Sequence, residues 1–148
     1  MAKFAAERST NRTIMHKNYR FIELENKLQA LNMRAFDRLF ISKVDEAVAT
    51  LIQSNQASME NVAAALCVSP SKLRRLVQNA TGITPAVYIV FLRLRVAVRM
   101  LDDYPQNSIS AAAHAAGFSD PAHFTHTFTR YFGCSPLQYA QEHMSREA

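Results

Sequence analysis

Lys72, Arg74 and Arg75 fall within the single stretch "PSKLRRLVQNA", and helical spacing puts Ser71 and Gln78 on the same face with them. Side chains of these types can recognise an anion or the edge of a base. An arginine offers parallel N–H donors that match O6 and N7 of guanine, a lysine supplies a point charge suited to phosphate, and serine or glutamine reaches either. Leu73, Leu76, Val77 and Ala80 form the opposite, apolar stripe, so this helix has one face to bury and one to present. A solvated charged surface is the ordinary reading of such cations. What weighs against it is the place of this helix in a larger pattern.

A second stretch, "SDPAHFTHTFTRYFGCSP", has the same layout with different chemistry. Phe124, Phe128 and Phe132 point inward with Tyr131 nearby, and Ala122, His123, Thr125, His126 and Arg130 point out. This outward face is polar but barely charged, so it would gain little from displacing counterions around a polyanion. Thr125 and His126 are its best candidates for contact with bases. His123 and His126 could pair with His114 as metal ligands, but the set lacks a close third ligand or a carboxylate. No metal and no cofactor are expected.

The elements that must position these faces form a repeat. Aligning the two Gly-x-[ST]-Pro exits, at Gly82 and Gly133, gives an offset of 51 residues. The same offset pairs Ser69 with Asp120, Pro70 with Pro121, Leu73 with Phe124, Val77 with Phe128, Thr84 with Ser135, Pro85 with Pro136 and Tyr88 with Tyr139. Each copy reads as short helix, tight turn, second helix and proline-started third helix, the helix-turn-helix plan, in which the second helix enters the major groove. Upstream of the turn, offsets of 50 and 51 fit about equally. Gly117 makes the second turn, opposite Leu66 or Cys67, so the first turn must be made without glycine.

The remaining elements follow from caps and periodicity, and the class is all-α, with about seven helices beside an N-terminal linker helix. In "NYRFIELENKLQALNMRAF", Phe21, Leu24, Leu28, Leu31 and Ala35 form a short heptad seam, open to reading as a helix lying on the domain or as a coiled coil. A core helix follows, with Leu39, Phe40, Val44, Ala47, Val48 and Leu51 on one face. Ser58 caps the first short helix, and the first helix-turn-helix spans about 58–81. Thr84 and Pro85 start a connecting helix over about 85–102, "DDYPQNS" is a loop, and the second helix-turn-helix spans about 108–132. Residues 1–35 are set apart as a basic segment with its linker helix, and 36–144 as the DNA-binding domain.

Composition agrees. The 148 residues are 49% apolar and 20% charged, which suits a packed domain, and the net charge of +5 favours a polyanionic partner. Residues 1–40 hold eight Lys/Arg against four Asp/Glu and 41–100 seven against three, while 101–148 hold two against five. No apolar run reaches the ~20 residues of a membrane span, and neither a signal peptide nor contact with a membrane is expected. Cys67 and Cys134 lack metal or redox spacing and read as buried thiols. Three glycines, all at helix ends, make no phosphate cradle, and no nucleophile with its base is legible, so no enzyme is expected.

The stretches "GFSDPAHFTHTFTRYFGCSPLQY", "VSPSKLRRLVQNATGITPAVYI" and "RLRVAVRMLDD" resemble the AraC/XylS family of bacterial transcription regulators, over about Phe36 to Tyr139. The resemblance implies a cytoplasmic regulator, an activator by family tendency, whose two recognition helices enter adjacent major grooves of double-stranded DNA. It further implies RNA polymerase as a partner, pairing of two copies through the N-terminal helix, and a sensing domain upstream, either a ligand-binding barrel or the receiver and sensor modules of a hybrid two-component regulator, of which this chain would be a fragment. Two departures stand out. Ala111 and Ala112 replace an acidic and a bulky residue, so that helix is expected to pack loosely. Val90, Phe91, Leu92, Val96 and Val98 make the connecting helix unusually apolar, so something should cover it. The rival reading is a helical protein-interaction module working through that apolar helix and the heptad seam.

Overall fold

The computed structural model describes residues 20–104 and 108–147, with side chains as far as Glu142. The basic segment before Arg20 and the middle of the expected "DDYPQNS" loop lie outside the described residues. Among those described, eight helices and no strand occur: α1 (Arg20–Gln29), α2 (Ala35–Gln53), α3 (Met59–Ala65), α4 (Pro70–Thr81), α5 (Pro85–Asp103), α6 (Ile109–Ala115), α7 (Pro121–Phe132) and α8 (Pro136–Glu147).

Local chemistry accounts for most of these boundaries. Ser58, Ser69, Thr84 and Ser108 each accept the backbone N–H three residues on, and Asp120 accepts that of Ala122, so α3 to α7 all start on a side-chain cap. Proline follows the cap in α4, α5 and α7, where its missing N–H costs nothing. Gly82 and Gly133 end α4 and α7 in the left-handed conformation, at φ 73° and 74°.

The helices form two three-helix units, α2–α3–α4 and α5–α6–α7. Helix α5 also packs on α2, α3 and α4, so it closes the first unit as well as opening the second, and α8 closes the second by packing on α5 and α7. The buried stripe of α2 is Ile41, Val44, Val48 and Ile52, rotated from the expected face. Leu39 is 58% exposed, and Phe40, Ala47 and Leu51 are half-buried. Both stripes are apolar at helical spacing, and the side on which α3, α4 and α5 lie decides between them. Fifty residues on, α5 buries the same positions as Phe91, Leu94, Val98 and Asp102. The repeat therefore includes the supporting helices.

The expected heptad seam is interrupted. Helix α1 stops at Gln29, Leu31 lies in the connection, and Ala35 is exposed at the start of α2. Phe21 and Ile22 are buried, as in a helix lying on the domain. The Phe21 ring stacks on Phe91 at 4.9 Å and on Phe132 at 4.6 Å, and the Arg20 guanidinium lies 5.1 Å from the Tyr131 ring centre. Lys27 Nζ donates to the Gly82 carbonyl at 3.3 Å. Helix α1 thus touches α5, the second unit and the exit of the first, while most of the apolar α5 is covered by α2, α3, α4, α6 and α8. Phe91, Leu92 and Val98 are buried there, with Val90 and Val96 half-buried.

Two tyrosines at equivalent places in the repeat each bond an aspartate, although the two aspartates are not equivalent. Tyr88 donates to Asp45 Oδ1 at 2.6 Å, joining α5 to α2, and Tyr139 donates to Asp102 Oδ1 at 3.0 Å, joining α8 to α5. Burial raises the Asp45 carboxyl above its usual 3.8, opposed by the Tyr88 hydrogen bond and the Arg95 charge.

Phe21→Ala should cost about 3–5 kcal/mol of unfolding free energy by denaturant titration, because a buried ring stacked on two others is lost. Asp45 has a pH signature. Its folded form binds a proton more readily than the unfolded chain, so its contribution is fully present below 3.8 and is lost as pH rises through the raised value. Stability of the wild type should accordingly gain on Asp45→Asn as pH is lowered across that window, and a constant difference between the two would contradict this.

Candidate nucleic-acid interface

The outward faces stand as the spacing predicts. Ser71, Lys72, Arg74, Arg75 and Gln78 are all exposed on α4, while Leu73, Val77 and Ala80 are buried beneath them and Leu76 is only half-buried. On α7, Ala122, His123, Thr125, His126 and Arg130 are all exposed above Phe124, Phe128, Tyr131 and Phe132. The structure brings each set together on its own helix and keeps the two sets on separate helices. Helix α4 carries three unburied cations. Helix α7 carries one, and Arg130 Nη2 lies 3.1 Å from His126 Nε2. A guanidinium can only donate, so that ring nitrogen accepts, which ties the two side chains into one unit. His123 packs edge-on to Phe118 at 5.5 Å. Among the described residues, no three His, Cys, Asp or Glu side chains gather as a metal site would require.

The two turns that present α4 and α7 are built alike. Cys67 N donates to the Ala64 carbonyl at 3.1 Å and Val68 N to that of Ala63 at 3.0 Å. Gly117 N donates to His114 and Phe118 N to Ala113, both at 2.9 Å. These bonds decide the register that the sequence left open. The offset is 50 through Val68 and Phe118 and 51 from Ser69 and Asp120, so Ser119 is the one extra residue of the second unit. Cys67 is the counterpart of Gly117, and both take a left-handed backbone, at φ 57° and 82°.

Cys67 is exposed, which corrects the expectation of a buried thiol. A left-handed residue at this tight turn carries its side chain into solvent. Cys134 is buried as expected, and burial, with Glu142 nearby, pushes its thiol up to about 11. Helix α6 likewise departs from expectation. Ala112, Ala113 and Ala116 are buried and α6 packs along α5, because small side chains let two helices approach closely. Ala111, in place of an acidic residue, is half-buried.

One residue at the junction went unrecognised in the sequence. Arg93, half-buried on α5, donates from Nε to the Ala116 carbonyl at 3.0 Å and from Nη2 to that of Gly117 at 2.6 Å. Its guanidinium lies 4.1 Å from the Phe118 ring centre, and burial lowers its pKa. The available signal was a cation inside the apolar run "VYIVFLRLRVAV". What it reaches was not in the sequence, because its partners are backbone carbonyls more than twenty residues away.

Comparison with known proteins agrees with this geometry. A family described as a helix-turn-helix domain matches residues 62–142. The transcriptional activator RhaS of Escherichia fergusonii is 29% identical over 131 residues, covering 87% of this chain and 47% of that protein. The transcriptional regulator AlkR of Acinetobacter baylyi is 35% identical over 85 residues, covering 57% of this chain and 28% of that protein. The chain spans less than half the length of these curated relatives. Among solved structures, the C-terminal domain of AraT, a response regulator from Geobacillus stearothermophilus, superposes with a TM-score of 0.64 at 22% identity, over 76% of this chain and 88% of that one. An AraC-type DNA-binding domain-containing regulator from Chromobacterium violaceum gives 0.56 at 26% identity, over 71% and 96%.

The two turns make opposite demands on a side chain. Cys67→Gly should stabilise the fold by about 1 kcal/mol, since it removes the left-handed penalty of a β-carbon that makes no buried contact. Gly117→Ala should destabilise by about 2 kcal/mol or more, because its Cβ would also come within 3.3 Å of the Ile52 carbonyl oxygen. Urea unfolding of both variants measures the two signs.

Proposed function

The chain belongs to the AraC-type helix-turn-helix family, and from that premise we propose that it binds double-stranded DNA sequence-specifically, with α4 and α7 as the reading helices of a transcription regulator. The observation that carries this reading is the presentation of two outward polar faces by two equivalent cap, turn and helix assemblies, with the basic one on α4. Arg74 and Arg75 read base edges, and Lys72, Ser71 and Gln78 serve phosphates or bases. On α7, Thr125, His126 and the linked Arg130 contribute a weaker, less salt-dependent contact, with Ala122 and His123 beside them.

Helix α5, at ~1.5 Å per residue, is ~28 Å long, somewhat short of the ~34 Å between successive major-groove faces. A single chain could therefore enter two adjacent grooves, with modest bending of the DNA making up the difference. Activation, contact with RNA polymerase and work in the bacterial cytoplasm are finer parts of the same proposal, supported by the naming of RhaS as an activator. Pairing of two copies through α1 would have to use its outer face, with Glu23 and Asn26, because Phe21 and Ile22 are committed to the core and Lys27 is bonded to Gly82. The proposal involves no catalytic step. No single helix among the described residues is long and apolar enough to cross a membrane. The rival protein-interaction reading relied on an apolar connecting helix and a heptad seam; the first is largely buried and the second is broken.

Random-sequence selection should return a defined DNA motif. On that motif, Arg74→Ala and Arg75→Ala should each weaken specific binding by about 1–3 kcal/mol and relax base preference at one or two positions. Unchanged affinity and specificity in both variants would remove α4 as the reader.

A further inference from the structure

Two helix-turn-helix units on one chain can read a composite site only if something fixes their relative pose. Arg93 belongs to α5, the helix shared by both units, and its donors go to the Ala116 and Gly117 carbonyls in the turn of the second, so they fix that turn to the helix on which the first unit also packs. Its guanidinium also covers Phe118, the residue that follows that turn. Arg93 also lines a cleft of about 270 Å³ with Asn55, Gln56, Ser58 and Asn61, which belong to the α2–α3 connection and the start of α3. Across the same junction, Gly117 sits so close to α2 that an added Cβ would lie 3.3 Å from the Ile52 carbonyl oxygen and 3.5 Å from its Cγ2.

The second turn is thus fixed by a two-point hydrogen bond from α5, and the last turn of α2 approaches it so closely that no side chain fits between them. A bidentate planar donor fixes angle as well as distance, which a single point contact does not.

We propose that Arg93 is a positioning residue for DNA recognition, setting the spacing and rotation between α4 and α7 and thereby the half-site spacing the protein accepts. This rests on the reading that both helices contact DNA. Inserting one base pair moves the second half-site by ~3.4 Å along the axis and turns it by about 34°. An α6–α7 turn held at two points on Arg93, with Ile52 close beside it, cannot follow that displacement. Without the guanidinium, α6 and α7 can rock on α5 about the contact that α6 makes through only Ala112, Ala113 and Ala116.

The test uses the full chain and DNA motifs obtained by selection with the wild type, remade with one base pair added or removed between the halves. The wild type should lose more than about tenfold in affinity on either change, as a rigid two-groove reader must. Arg93→Met should lose less than about threefold while preferring the same bases in each half, a separation that a merely destabilised fold would not produce. If Arg93→Met does not fold, Arg93→Lys carries the test on the same criteria, because it keeps the charge without the planar two-point donor. A folded variant that keeps the wild-type spacing optimum overturns the proposal. A selected motif confined to one groove also overturns it, but leaves Arg74 and Arg75 standing as readers. Failure to select any motif would instead count against the DNA-binding reading itself.

Discussion

Helix α5 has to serve two cores at once, and most of the structure follows from that constraint. Its first turn anchors to α2 through Tyr88 and Asp45, its middle offers Phe91 to α1 and Arg93 to the second turn, and its last turn accepts Tyr139 through Asp102. Leu94, Ala97 and Leu101 are wholly buried along the way. A helix buried on most sides needs an almost continuous apolar surface. That requirement accounts for an apolar run which, taken alone, resembles a binding surface or a poor membrane span.

The two units that share α5 are copies in scaffold and unlike in surface. Caps, prolines, turn hydrogen bonds and closing glycines recur at a fixed offset that slips by one residue at Ser119. Where the copies differ, each difference has a local consequence. Cys67 holds a left-handed turn that faces solvent, whereas Gly117 holds one pressed against Ile52, where only glycine fits without strain. The second core is aromatic: Phe118, Phe124, Phe128, Phe132 and Tyr139 form a chain of ring contacts that Phe21 extends into α1. The first is aliphatic, with Val44, Val48, Val62, Leu73 and Val77. The aromatic core gains directional ring packing and a place for α1. The first unit keeps its charge for the outside.

Much of this was legible in the sequence because it rests on interactions within a few residues. Ser58, Ser69, Thr84, Ser108 and Asp120 cap helices through N–H groups two or three positions away, and proline at the first helical position needs no distant partner. Every one of the ten outward side chains is exposed, since a helix with one strongly apolar face leaves its opposite face little choice. The glycines at 82 and 133 announced two helix ends for the same reason.

Tertiary structure decided whatever required a neighbour from elsewhere in the chain. Whether α2 buried Leu39 or Ile41 depended on which side α3, α4 and α5 occupied, because two apolar stripes satisfied the same periodicity. Whether Phe21 began a coiled coil or entered the core depended on Phe91 and Phe132, which lie far along the chain. The repeat register could be settled only by the turn hydrogen bonds, since runs of alanine look alike at offsets of 50 and 51. Arg93 is the clearest case. Its type and position were visible, but its partners are main-chain carbonyls that carry no side-chain signature, and only folding brings them within reach.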